Sequence, residues 1–291
     1  MTKITEQNNP LSKNIDSLNV IEMLKIINQE DSLIPSIINK HLESIEKVIE
    51  EVVFCLKNNG RLFYIGCGSS GRLGVLDAAE CPPTFSVSSE LIQGIIAGGY
   101  DALHKSIEGA EDVSEEGKNI LIKKQINKND IIIGITASGS AEFVLGALEY
   151  AKSLNVRTAL ITFNRVDLKK ADNIISLNVG PEVIAGSTRL KSGTATKMIL
   201  NMISTVSMIK LNKTYKNIMV DLKISNKKLL DRGIKIISFL TDSTYLESKE
   251  LLKESKNNIK IAIVMKKLSL DYNSSKEILI FYNGNLEKIL N

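Results

Sequence analysis

The chain has little of the chemistry that metals and nucleic acids need. Its 291 residues include no tryptophan, two histidines and three cysteines, and aromatic residues make up only 5%. Few aromatics disfavour a surface on which bases stack. Cys55, Cys67 and Cys81 form no Cys-x-x-Cys pair, and the only histidines are His41 and His104. These counts argue against a disulfide framework and a zinc site, so we expect no metal and no cofactor.

Long apolar runs and a strong charge of one sign are also missing. No stretch approaches the roughly 20 apolar residues that span a bilayer. Residues 1–14 are polar and lack the apolar core of a signal peptide. The net charge of +4 is small for this length. We therefore expect a cytoplasmic protein with neither a nucleic-acid nor a membrane partner.

Short apolar segments alternate with helical patterns along most of the chain. This order is typical of a parallel sheet covered by helices on both faces, an α/β three-layer sandwich. From about Leu222 the glycine-rich loops cease. We predict an N-terminal helical segment (1–45), an α/β domain (46–221) and a small helical C-terminal domain (222–291). The predicted strands are Leu62–Ile65, Leu91–Ala97, Asp130–Ile135, Thr158–Thr162 and Ile174–Val179.

Two glycine- and serine-rich turns each join a predicted strand to a predicted helix. We call Gly66–Gly71 the first serine loop and Thr136–Ser140 the second serine loop. Backbone N–H groups and hydroxyls at a helix N-terminus suit a phosphate monoester. The alternative is that the serines only cap helices. The predicted phosphate-binding residues are Ser69, Ser70, Gly71, Ser138, Gly139 and Ser140.

The first serine loop also has dinucleotide spacing, Gly-x-Gly-x-x-Gly. That fingerprint needs an acidic residue at the end of the next strand. The next strand ends in Ala97-Gly98-Gly99, without a carboxylate. A dinucleotide is therefore disfavoured.

Two glutamates are the candidate acid and base. Glu80 precedes Cys81-Pro82-Pro83, where we expect the helix starting near Arg72 to end, and a rigid turn would hold a carboxylate in place. Glu111 shares a helix face with Glu108 if a helix beginning near Asp101 persists. The alternatives are an exposed helix-end glutamate and a solvated acidic patch.

The remaining candidates are basic. His104 either moves a proton that opens a sugar ring, or it is an ordinary surface histidine. Arg189, Lys191 and Lys197 either neutralise a phosphate or carboxylate, or form the solvated start of a helix.

The longer motifs resemble the N-acetylmuramic acid 6-phosphate etherases, which belong to the sugar isomerase superfamily. The likeness runs from about residue 4 to 222, and its most specific part is Gly66–Phe85. Further matching motifs are Thr5-Glu6-x-x-Asn9-Pro10, Gln93–Gly99, Glu108-Gly-Ala-Glu-Asp112 and Gly180–Ala195.

The resemblance implies a sugar isomerase fold, a homodimer and a sugar-phosphate substrate. It makes Glu80 and Glu111 catalytic, and we add Ser187 and Lys191 to the predicted phosphate-binding residues. The second serine loop departs from the family pattern Ser-Gly-Arg-Thr, because Ser140 and Ala141 replace the arginine and threonine. Ser138 is retained.

The implied reaction cleaves the D-lactyl ether of N-acetylmuramic acid 6-phosphate, giving N-acetylglucosamine 6-phosphate and D-lactate in cell-wall amino-sugar recycling. We expect elimination of lactate and re-addition of water, with Glu80 as the acid and Glu111 as the base, because an unactivated ether resists hydrolysis. The alternatives are a sugar-phosphate isomerase and a non-catalytic sugar-phosphate-binding regulator.

Overall fold

A five-stranded parallel sheet forms the centre of the α/β part of the chain. The structure, a computed structural model, describes residues 3–224 and 226–291. The strand order is β2-β1-β3-β4-β5 and every pairing is parallel. The strands are β1 (Leu62–Gly66), β2 (Ile92–Ile96), β3 (Ile131–Ile135), β4 (Arg157–Thr162) and β5 (Asn173–Ser176).

The strands are short, apolar and almost wholly buried, as strands covered on both faces must be. Every residue of β1 and β3 is buried. One core cluster joins Phe63 and Ile132 of the sheet to Phe143 and Leu148 of the helix Glu142–Ser153. The α/β sandwich predicted from the sequence is confirmed, and all five predicted strands are present.

Helices precede, separate and follow the strands. Their bounds are α1 (Val20–Asp31), α2 (Ile34–Asn39), α3 (Leu42–Lys57), α4 (Gly68–Phe85), α5 (Ser114–Lys123), α6 (Glu142–Ser153), α7 (Lys191–Lys210), α8 (Lys227–Thr241), α9 (Tyr245–Glu254), α10 (Ile259–Leu268), α11 (Tyr272–Phe281) and α12 (Leu286–Leu290). In α3 the apolar residues recur at helical spacing, and Ile45, Val48, Val52 and Leu56 are buried.

Two helix predictions were wrong. α4 starts at Gly68 and continues through Pro82 and Pro83 to Phe85. Proline lacks the N–H that a helix interior uses, so two helical bonds are lost in the final turns. The helix continues because Cys81 and Phe85 are buried and Ser86 N–H still donates to the Pro82 carbonyl at 3.0 Å.

The second wrong prediction is the helix near Asp101. Only a 3-10 turn forms there, Tyr100–Leu103, and it follows Gly99 at φ +68°. A separate 3-10 turn, Ala110–Asp112, follows Gly109 at φ +71°. Positive φ values at both glycines interrupt a continuous helix.

The chain divides into two compact units. The first comprises the residues up to Ala79 together with Ser89–Ser204, and the second comprises Glu80–Ser88 and Thr205–Asn291. The second unit has its own apolar core, built around Ile234, Ile237, Leu252 and Ile263. The domain limits predicted from the sequence, at residues 45/46 and 221/222, stay predictions. The division into compact units falls within α4 and α7, where no change of composition marks it.

Within the described ranges, none of the helices combines the length and the apolar character needed to cross a membrane.

Candidate functional site

Both serine loops lie at the carboxyl edge of the sheet. β1 and β3 are neighbours, and Gly66 at the end of β1 pairs with Ile135 at the end of β3. Each loop begins where its strand ends, so the two loops emerge side by side. Ligands of open α/β sheets bind at this edge.

The first serine loop folds tightly because two glycines approach each other. A Cβ on Gly71 would lie 2.6 Å from the Gly66 carbonyl oxygen, and a Cβ on Gly66 would lie 2.7 Å from Gly71 N. The Gly71 N–H donates to the Cys67 carbonyl at 3.1 Å. Gly71 therefore serves the turn, whereas the half-buried Ser69 and Ser70 lie in the first turn of α4.

Two residues of the first serine loop, Cys67 and Gly68, line one small cavity together with Glu111. Its volume is about 170 Å³, and Cys67, Gly68, Arg72 and Glu111 are among its lining residues. Burial, and then the negative charges of Glu111 and Asp112, raise the pKa of the Cys67 thiol to about 12. The predicted base therefore shares a cavity with the beginning of the first serine loop, whereas Ser69, Ser70 and Gly71, the residues predicted to bind phosphate, are not among its lining residues.

Arg72 holds the segment of chain that lies between the first serine loop and Glu111 in the sequence. Its Nε donates to the Leu103 carbonyl at 3.3 Å and its Nη2 to the Lys105 carbonyl at 3.0 Å. Glu111 itself is exposed in the 3-10 turn Ala110–Asp112, so the shared helix face with Glu108 does not form.

The second serine loop carries a row of hydroxyls. Thr136 Oγ1 lies 3.3 Å from Ser138 Oγ, which lies 3.0 Å from Ser140 Oγ. Ser140 N–H also bonds to Ser138 Oγ at 3.3 Å. Gly139 adopts φ +73°, and a Cβ there would lie 2.3 Å from a side-chain carbon of Val166. Only glycine suits this turn.

Glu80 is exposed near the end of α4 and belongs to the second compact unit. The buried Cys81 follows it, and Pro82 and Pro83 continue the helix. The rigid setting that the sequence predicts for Glu80 is therefore a helix and not a turn.

Lys191 lies away from solvent. Its side chain is buried and its ammonium forms an ion pair with the buried Glu30 carboxylate, to which Asn9 Nδ2 also donates at 2.6 Å. The buried Glu182 accepts the backbone N–H groups of Lys191 and Ser192 at 2.9 and 3.0 Å, so a carboxylate caps α7. The Lys191 ammonium is therefore paired with Glu30, and the first N–H groups of α7 donate to Glu182, both inside the protein.

The other basic candidates and Ser187 lie elsewhere in the first unit. Ser187 is half-buried and its neighbour Gly186 donates its N–H to the Thr5 carbonyl at 2.9 Å. Arg189 and Lys197 are exposed. The exposed His104 ring packs edge-on against Tyr100 with centroids 5.3 Å apart.

Asp77, a carboxylate one turn before Glu80, is not distinguished by the sequence. Burial raises the pKa of Asp77 to about 6, although side-chain hydrogen bonds from Ser204 and Tyr64 and the charge of Lys197 lower it. Ser204 Oγ donates to Asp77 Oδ1 at 3.0 Å. Nothing in the local pattern distinguishes Asp77, because its partners lie on β1 and α7.

The fold and the paired serine loops define a protein of the sugar isomerase class. A family model described as the glucokinase regulatory protein N-terminal SIS domain matches residues 44–152. The E. coli CFT073 protein c3406 has a similar fold, with a TM-score of 0.51 and 18% identity over 70% of this chain and 95% of that chain.

Relatives similar over nearly the full length narrow this class. The N-acetylmuramic acid 6-phosphate etherase of Actinobacillus pleuropneumoniae serotype 7 is 47% identical over 99% of this chain and 95% of its own length. That of Staphylococcus epidermidis is also 47% identical, over 99% of this chain and 98% of its own length. The chain belongs to the N-acetylmuramic acid 6-phosphate etherase family.

Proposed function

We propose that this protein cleaves the D-lactyl ether of N-acetylmuramic acid 6-phosphate to give N-acetylglucosamine 6-phosphate and D-lactate. Membership of the etherase family supports the substrate. The observation that carries the chemistry is the cavity that Glu111 lines together with Cys67 and Gly68 of the first serine loop. A carboxylate beside a candidate phosphate loop suits proton removal from a phosphorylated sugar.

The reaction is a carbon–oxygen lyase reaction followed by hydration. In the ring-opened sugar, C1 is an aldehyde and acidifies the C2 proton. Glu111 takes that proton, the C2–C3 double bond forms, and the C3–O bond breaks with its electron pair leaving on the lactyl oxygen. Glu80 protonates that oxygen. Water then adds at C3 and gives a proton to the ionised Glu80, and Glu111 returns its proton to C2. The serine loops bind the phosphate and supply positioning energy away from the reacting atoms.

Two carboxamide variants test these roles. We expect Glu80→Gln and Glu111→Gln each to lower the rate of D-lactate release by about 10²–10⁴-fold, the usual contribution of a positioned acid or base. Glu116→Gln is the control, because Glu116 is exposed in α5. A wild-type rate in the Glu80 variant would refute its role as the acid.

The same assay separates the alternative functions. A sugar-phosphate isomerase would convert its substrate without releasing lactate, and a non-catalytic regulator would bind the sugar phosphate without changing it. D-lactate release by the wild-type protein therefore decides among the three.

We also propose that two copies associate and act in the cytoplasm in cell-wall amino-sugar recycling, as the resemblance implies. α1 supports the association, because Val20, Leu24 and Ile27 share one face and are 72%, 55% and 38% exposed. Burial of such a stripe by a second copy removes apolar surface from water.

A further inference from the structure

The second serine loop contains hydroxyls but no positive charge. The residues from Thr136 to Ala141 are uncharged, and the next residue, Glu142, is acidic and begins α6. A phosphate dianion at this loop would meet hydroxyls and the N-terminus of α6, but also a nearby carboxylate. Recognition of a dianion is stronger when a cation donates a hydrogen bond to it.

A lysine from the beginning of the chain lies at this loop. Lys3 Nζ donates to Ser140 Oγ at 2.6 Å, although 137 positions separate the two residues. Ser140 Oγ in turn lies 3.0 Å from Ser138 Oγ. The ammonium thus contacts the row of hydroxyls, and because it has three N–H donors it can also donate to a ligand oxygen.

A buried asparagine holds the backbone next to Lys3. Asn164, which is 4% exposed, accepts the Ile4 N–H on Oδ1 at 2.7 Å. Its Nδ2 donates to Thr5 Oγ1 and to the Ala137 carbonyl, both at 3.0 Å. Thr5 is fully buried, and its carbonyl accepts the Gly186 N–H. One amide therefore fixes the N-terminal strap (residues 3–12) to the backbone of the second serine loop.

The strap also borders a space large enough for a ligand. A cavity of about 1010 Å³ is lined by Lys3, Ile4, Glu6, Asn164 and Arg165, among others. Phe163, Asn164 and Arg165 follow β4, so this cavity opens at the same carboxyl edge as the serine loops. Lys3 and Arg165 bring positive charge to it and Glu6 brings one negative charge.

We propose that Lys3 is a substrate-binding residue that supplies the phosphate-binding cation of the second serine loop. This inference rests on the proposed function for the identity of the substrate, a phosphorylated amino sugar. Lys3 contributes binding of the phosphate and takes no part in proton transfer. Asn164 positions Lys3 by fixing the strap.

Binding of inorganic phosphate tests Lys3 independently of catalysis. Calorimetric titration of the full chain with inorganic phosphate at fixed ionic strength should show an affinity that falls about tenfold in Lys3→Gln, because a charge-assisted hydrogen bond is lost. Lys3→Arg should retain most of the affinity. Lys13→Gln is the matched control, since Lys13 is an exposed lysine just after the strap.

Kinetics with N-acetylmuramic acid 6-phosphate complete the test. Lys3→Gln should raise KM about tenfold and leave kcat within about twofold, because the ammonium holds the phosphate remote from the reacting atoms. Equal phosphate affinity in wild-type and Lys3→Gln protein, or equal losses in Lys3→Gln and Lys13→Gln, would overturn the proposal. So would a wild-type chain that binds no phosphate. Absence of lactate release with an intact Lys3 effect on phosphate binding would instead refute the proposed function alone.

Discussion

Individual residues in this protein derive their properties from partners that are distant in the sequence. Asp77 shows this most clearly: it lies on α4, but its ionisation depends on burial and on hydroxyls from β1 and α7. Lys191 also depends on a distant residue, because its ammonium forms an ion pair with the buried carboxylate of Glu30 on α1. The sequence shows which residues are ionisable, but it does not show which distant residues contact them in the fold.

Asp77 should make the protein less stable as the pH rises. Its pKa is about 6 in the folded chain against 3.8 ordinarily, so the folded state binds the proton more tightly. The stabilisation is complete below pH 4 and is lost as the pH rises to about 6, by at most about 3 kcal/mol. Asp77→Asn should therefore raise the free energy of unfolding relative to wild type by about 1–3 kcal/mol above pH 6, with no gain near pH 4.

Urea denaturation between pH 4 and 8 measures this difference. Asp16→Asn, a change of the same charge at an exposed position, is the control and should leave the pH profile of wild type unaltered. If the free energies of unfolding of Asp77→Asn and wild type differ by the same amount at every pH, ionisation of Asp77 does not affect stability and the prediction is wrong.

The secondary-structure elements were predictable wherever composition alone decides them. The strands are apolar segments that end at glycine or polar residues, and Gly66–Gly71 marks a strand–loop–helix junction on its own. The path of α4 through Pro82 and Pro83 was not predictable, because burial of Cys81 and Phe85 offsets the local preference of proline. The ends of helices depend on such tertiary contacts.

The start of α7 depends on a buried ion pair. Lys191→Met leaves the Glu30 carboxylate buried without its cation, and we expect a loss of about 3–5 kcal/mol in the free energy of unfolding. Glu30→Gln combined with Lys191→Met removes the unpaired charge and should recover part of that loss. Chemical denaturation of the single and double variants gives both values.

A different outcome would favour the phosphate-binding role predicted from the sequence. In that case Lys191→Met would retain wild-type stability and bind inorganic phosphate at least tenfold more weakly.

At the scale of the whole molecule, the sequence predicts the fold class and the family but leaves the assembly of the site open. Alternating strands and helices imply a parallel sheet, whereas the order β2-β1-β3-β4-β5 is a tertiary result. That order makes β1 and β3 neighbours and brings the two serine loops side by side. The meeting of Lys3 with Ser140 depends equally on the fold, because no local spacing relates the two residues.

The proposed association of two copies predicts a defined effect at α1. Val20→Glu with Leu24→Glu places two charges on the apolar stripe and should convert a dimer to a monomer in sedimentation velocity at micromolar concentration. Leu168→Glu is the control, because Leu168 is 80% exposed in an isolated 3-10 turn. A monomeric wild-type protein, or a dimer that persists in the double variant, would contradict this surface as the interface.

In the proposed mechanism the ether is cleaved by elimination of lactate and re-addition of water. Turnover of N-acetylmuramic acid 6-phosphate in oxygen-18 water, followed by mass spectrometry of both products, tests it most directly. We predict one oxygen-18 at C3 of the product N-acetylglucosamine 6-phosphate and unlabelled D-lactate, because the C3–O bond breaks and water adds at C3. Oxygen-18 in the lactate, or no release of lactate, would contradict the mechanism.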